Sequence, residues 1–132
     1  MAMLLFVVSM TALTSCNKEA QNLIVGKWEC VNAFYTDEGI TYPIPNVDGM
    51  IWEFKSDGKL TVTLPASIDH EIDLYNPTAS YVILGDLLTI TSTDEDGDVD
   101  TEVYNIKELN DTKLLLENYD GDVLVTSEFK RK

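Results

Sequence analysis

From Gly26 to the C-terminus the side chains alternate between apolar and polar with a period of two, and short Gly- or Asp-bearing turns interrupt the alternation every few residues. Successive side chains of a strand point to opposite faces, so this rhythm demands a sheet with one greasy face. Between Gly26 and Tyr35, Trp28, Cys30 and Phe34 fall on one face with Asn32 among them, and Lys27 and Glu29 fall on the other. Met50, Trp52 and Phe54 alternate against Glu53 and Lys55; Ser56-Asp57-Gly58 turns the chain, and Leu60, Val62 and Leu64 alternate against Lys59, Thr61 and Thr63. That is a hairpin with a defined inner face.

The pattern then repeats. Tyr81 to Leu84 and Leu87 to Thr91 flank the turn Gly85-Asp86; Thr101 to Glu108 places Tyr104 and Ile106 on one side; Lys113 to Asn118 and Val123 to Lys130 follow their own turns. The expected architecture is all-β, an eight-stranded antiparallel up-and-down barrel. Closure removes the exposed edges that an open sheet would leave. A β-sandwich is the alternative. It needs long crossovers, and only Thr36 to Gly49 and Pro65 to Thr78 are long enough. A short helix between Ala66 and Tyr75 is the one departure from strand patterning.

With 45% hydrophobic and 24% charged residues the chain has enough apolar matter for a core, which argues against disorder. A formal charge of −14 repels phosphate backbones, so nucleic acid is excluded as a partner. Of two cysteines, Cys16 and Cys30, the first is assigned below to lipid, which leaves no disulfide framework. With a single histidine and no C-x-x-C, a cysteine/histidine zinc site cannot be assembled within the chain.

The N-terminus reads as an address. Leu4 to Val8, extended by Met10, Ala12 and Leu13, has the length of a signal-peptide apolar region and is too short to span a bilayer. It ends in Leu13-Thr14-Ser15-Cys16, which resembles the bacterial lipobox. The resemblance implies cleavage before Cys16 and acylation of its thiol. Such signals ordinarily begin with Lys or Arg, and Met1-Ala2-Met3 has neither. The expected organisation is a signal peptide over 1–15, a lipidated Cys16 and polar tether over 16–23, and a barrel domain over 24–132. Asn17, where Asp would favour inner-membrane retention, is compatible by analogy with the outer membrane. Two or more acyl chains, at roughly 0.8 kcal/mol per buried CH₂, anchor stably.

Gly26-Lys27-Trp28 opens the first strand. This resembles the Gly-x-Trp signature of lipocalin-like proteins, and the whole from about Ile24 to Arg131 is similar in pattern to the short lipocalin-like domains of bacterial lipoproteins. The resemblance implies that Trp28 plugs the closed end of the barrel and that a basic residue near the last strand, here Arg131, packs over its ring. A cation over an indole face contributes roughly 0.5–2 kcal/mol.

In such barrels the first connection folds over the open mouth. Thr36 to Gly49, with Tyr42-Pro43-Ile44-Pro45, is therefore either a lid over the mouth or a loop that only packs on the barrel, the second being the expectation. Trp28, Trp52, Phe54, Tyr104 and Phe129 fall on the inner face, where they either line a pocket or fill the interior. With strands of about six residues, filling is expected. Asp94, Asp96 and Asp98 have the one-three-five spacing of a calcium loop, but Val99 and Asn105 stand where Gly and Glu are required, so a solvated hairpin turn is expected and no metal. His70 between Asp69 and Glu71 has no evident nucleophile to serve, and Cys30 reads as a small buried hydrophobe. No enzyme and no cofactor are expected. The leading expectation is a membrane-anchored binding module holding a small apolar or amphiphilic ligand near Tyr42, Ile44, Trp52 and Tyr104. The alternative is a structural lipoprotein with a filled barrel that docks to another envelope protein. Cavity volume discriminates between them.

Overall fold

The computed structural model describes residues 19–45, 47, 49–63, 78–94 and 96–132. The signal segment, Cys16, Leu64, His70 and the short helix considered between Ala66 and Tyr75 lie outside the described residues.

Nine antiparallel strands form one sheet: β1 (Gly26–Asp37), β2 (Ile40–Pro43), β3 (Ile51–Phe54), β4 (Lys59–Thr63), β5 (Thr78–Leu84), β6 (Leu87–Thr93), β7 (Val99–Leu109), β8 (Lys113–Asp120) and β9 (Val123–Arg131). Eight of them run in sequence order from β1 through β3 to β9, and β9 pairs back onto β1, which closes the barrel. The up-and-down expectation holds and the sandwich alternative does not.

The ninth strand is a correction. Residues expected to form an irregular first connection include β2, which pairs with the upper half of β1, Asp37 opposite Ile40 and Phe34 opposite Pro43. Glu38 and Gly39 both have positive φ, 50° and 79°. That is the turn geometry whose twist matches a two-residue hairpin. β2 and β3 therefore share one edge of β1: β3 holds Gly26 to Glu29, and β2 holds Phe34 to Asp37.

A second correction concerns the faces of β1. Cys30 pairs with Phe129 but Asn32 pairs with Glu128, so Val31 is an extra residue, a β-bulge. A bulge reverses the alternation beyond it. Trp28 and Cys30 point inward before it; Ala33, not Asn32 or Phe34, is buried after it, and Asn32 is exposed. β7 carries a similar irregularity between Ile106 and Glu108, which returns Leu109 to the core side opposite Leu114.

The core occupies the lower half of the barrel. Trp28, Phe54, Phe129, Leu88, Leu114 and Leu116 are fully buried there. At this end residues 19–24, the last part of the expected tether and the first residue of the expected domain, are helical and lie against the barrel, with Ile24 fully buried. The open end is formed by the turns β1–β2, β6–β7 and β8–β9.

Candidate functional site

The closed end is held by one arginine and one tryptophan. The helical residues 19–24 end with carbonyls that no further turn satisfies. Trp28 Nε1 donates to the Ile24 carbonyl at 2.8 Å. Arg131 Nη1 donates to the Val25 carbonyl at 2.9 Å, Nη2 to the Leu23 carbonyl, and Nε to the Asp111 carbonyl at 2.8 Å. The guanidinium carbon lies 4.3 Å from the Trp28 ring centroid. Gly26, at φ +131°, is where the chain passes beneath this guanidinium; a Cβ there would sit 2.6 Å from Arg131 Nη1. Only glycine fits both the dihedral and the approach.

Above the packed half, Trp52 spans the interior. Its ring lies 5.0 Å from that of Phe129, 5.9 Å from Tyr104 and 6.1 Å from Phe54. It forms the floor of a cavity of about 580 Å³, walled by Tyr104 and Glu102 of β7, Asn118 and Asp120 of β8, and Val125 and Ser127 of β9. The filled interior expected from short strands is half right: large rings fill the lower barrel, and among the described residues a half-open cleft lies above them, bordered also by the exposed Thr101, Val103 and Asn105 of β7.

The cavity opens sideways as well as upward. β7 pairs with β8 only from Asn105 opposite Glu117 downward. Above that point β7 pairs with β6 alone and β8 with β9 alone. The splayed strand edges expose backbone donors and acceptors along the cavity wall.

Trp52 Nε1 is buried and has no hydrogen-bond partner among the described residues. Such a donor costs about 1–3 kcal/mol until something accepts from it. Tyr104 is 8% exposed, and its hydroxyl donates to Glu102 Oε2. Burial, the Glu102 hydrogen bond, and the charges of Glu102 and Asp100 push the Tyr104 phenol far above its ordinary value, so it stays a neutral donor at any physiological pH.

Of the residues read from the sequence as binding candidates, Trp52 and Tyr104 are brought together on this cavity. Tyr42 stacks on Tyr35 at 5.1 Å, partly exposed, and Ile44 packs against the core; neither lines the cavity. Glu102, Asn118 and Ser127 escaped the sequence reading. Their signal was a change of character along one face: Tyr104 gives way to Glu102, Leu116 to Asn118, Phe129 to Ser127. Apolar-to-polar succession at the inward positions of adjacent strands marks where packing ends. Asp94, Asp96 and Asp98 converge within 4.8 Å of one another but are all exposed. Asp94 Oδ1 accepts from the Asp98 amide at 2.8 Å, so this carboxylate serves its own turn.

Charge is divided between the ends. Nine residues are Lys or Arg. Apart from Lys18, which is outside the described residues, all surround the closed end: Lys27, Lys55, Lys59, Lys107, Lys113 and the run Lys130-Arg131-Lys132. The open end carries Asp37, Glu38, Asp94, Asp96, Asp98, Asp100, Glu102, Asp120 and Asp122, with no cation among the described residues.

A family described as a lipocalin-like domain matches residues 24–116, more than half of the chain. No curated protein and no solved structure shows a significant match.

Proposed function

This chain belongs to the lipocalin-like domain family, and on that premise we propose that its barrel is a binding module, tethered to a bacterial membrane through Cys16, which takes a small amphiphilic ligand into its mouth. Members of the family are in general non-enzymatic binding proteins. The observation that carries the reading is the cavity of about 580 Å³ above Trp52. The volume falls within the roughly 300–1,000 Å³ of small-molecule sites, and the half-open lining sets Trp52, Tyr104 and Val125 against the polar Glu102, Asn118, Asp120 and Ser127. The alternative of a filled barrel that docks through its surface has this volume against it. An amphiphile suits the site better than a hydrocarbon, because Asn118, Ser127 and Glu102 on its walls would otherwise be left facing grease.

The test uses the full chain with Cys16→Ser, so that acyl chains cannot occupy the cavity. A neutral apolar fluorophore such as N-phenyl-1-naphthylamine is expected to bind at one site, quenching Trp52 and leaving the buried Trp28 of a Trp52→Phe variant little changed. A probe that shows no saturable binding, together with native mass spectra free of any co-purifying small molecule, would remove the binding reading.

The anchor has its own support. The chain enters the barrel at its closed end, a little after Cys16, and that end gathers the described cations. The same end carries Glu19, Glu29, Glu53, Asp57, Asp86, Glu108, Asp111 and Glu128, so it is close to neutral and repels an anionic headgroup layer less than the acidic mouth would. The closed end would then face the membrane and the acidic mouth would face away. Among the described residues no helix is long and apolar enough to cross a membrane. Cys16→Ser is expected to move the protein from the membrane to the soluble fraction of its bacterial host. A variant that still sediments with membranes would contradict the tether, and a wild-type protein enriched in inner-membrane fractions would contradict the outer-membrane placement that Asn17 favours.

A further inference from the structure

We propose that the ligand of this mouth is an organic cation, an ammonium carried on an apolar group, and that carboxylate- or sulfate-headed amphiphiles are refused. The inference rests on the binding reading above and adds the sign of the head group.

Three features of the cavity carry it. Among the described residues its ionisable acids are Glu102 and Asp120, and no Lys or Arg lines it. Its aromatic members are Trp52, Tyr104 and Tyr119. A cation is attracted to aromatic faces by the ring quadrupole, which an anion is not. The third feature is the field at the entrance. Every described carboxylate of the open end lies at the rim without a basic partner there, and the compensating cations are at the opposite pole. A one-signed funnel with low-dielectric walls concentrates ions of the opposite charge and speeds their entry.

Glu102 and Asp120 are exposed, so each contributes as a solvated rim charge. Tyr104 fixes one of them: its hydroxyl occupies one lone pair of Glu102 Oε2 and leaves the other acceptor positions of the carboxylate free. The ammonium is placed at the rim between β7 and β8, where the two strands part, and the apolar group reaches down to Trp52.

Three amphiphiles with one tail separate this inference from the reading beneath it. The full chain with Cys16→Ser is titrated by calorimetry with octyltrimethylammonium, octyl glucoside and octyl sulfate, all below micelle formation. The cation is expected to bind about tenfold tighter than the glucoside, and the sulfate weakest of the three. Raising the ionic strength from about 20 to about 500 mM should shrink the cation's advantage, because rim charges are screened. Glu102→Gln with Asp120→Asn should bring the cation down towards the glucoside, and Asp57→Asn at the closed end should not. Equal binding of all three amphiphiles would overturn the charge inference and leave the binding module standing. No binding of any would overturn both. A cation preference that survives the double substitution in full would overturn the assignment to these two carboxylates.

Discussion

Trp28→Ala is expected to lower the free energy of unfolding by about 3–5 kcal/mol, the range for losing a buried aromatic side chain from a core that cannot fully collapse. The side chain is completely buried, so the whole transfer and cavity cost applies. Two further losses fall on the same residue. The Ile24 carbonyl loses its indole donor, and Arg131 loses the ring beneath it. A domain of this size has roughly 5–15 kcal/mol in hand, so the variant should melt roughly 15 °C or more below the wild type. Trp28→Phe separates the causes. It keeps a ring beneath the guanidinium but leaves a buried carbonyl unpaired, at about 1–3 kcal/mol. Thermal and urea unfolding of the pair, followed by circular dichroism, checks both values. A Trp28→Ala protein as stable as the wild type would mean that the closed end is not held by this residue.

The second large effect is on binding. Ser127 lies on the inner face of β9, opposite Leu116 and above the fully buried Phe129, and it lines the cavity wall. Ser127→Trp places an indole in the open volume beside Trp52. Overpacking a filled core costs about 1–3 kcal/mol, but here the added ring enters empty space, so the melting temperature should change little. Affinity for N-phenyl-1-naphthylamine should fall by about a hundredfold, equivalent to about 2.7 kcal/mol. Native near-ultraviolet circular dichroism shows that the barrel is intact. Retained affinity in a folded variant would place the ligand somewhere other than the space above Trp52.

The strands and their inward faces were legible because a period of two is a local property. Trp28, Phe54 and Phe129 stand between charged neighbours, Trp52 and Tyr104 each have a polar neighbour on one side, and all five are at least partly buried. Turns were legible where Gly or Asp stands between two such runs, as at Gly85-Asp86 and Ser56-Asp57-Gly58. β2 was missed although Glu38-Gly39 between Tyr35-Thr36-Asp37 and Ile40-Thr41-Tyr42 carries a hairpin signal, because a strand whose residues are all exposed has no burial rhythm to show. The bulge at Val31 was not legible. An inserted residue is visible only against the partner strand that it fails to match, and that partner, β9, lies about a hundred residues away.

Sequence alone therefore carried the all-β class, the succession of eight of the nine strands with their greasy faces up to the bulges, and an apolar segment followed by Cys16, since all of these depend on near neighbours in the chain. It also contained the charge count. It did not contain the division of that charge into a closed end where cations and acids offset one another and an acidic mouth, which exists only once antiparallel strands carry alternate turns to opposite poles. The cavity belongs to the tertiary structure for the same reason. Whether rings of given size fill a barrel depends on which residues meet across it, and Trp52 meeting Phe129 and Tyr104 marks where the packing of the described residues gives way to a half-open cleft.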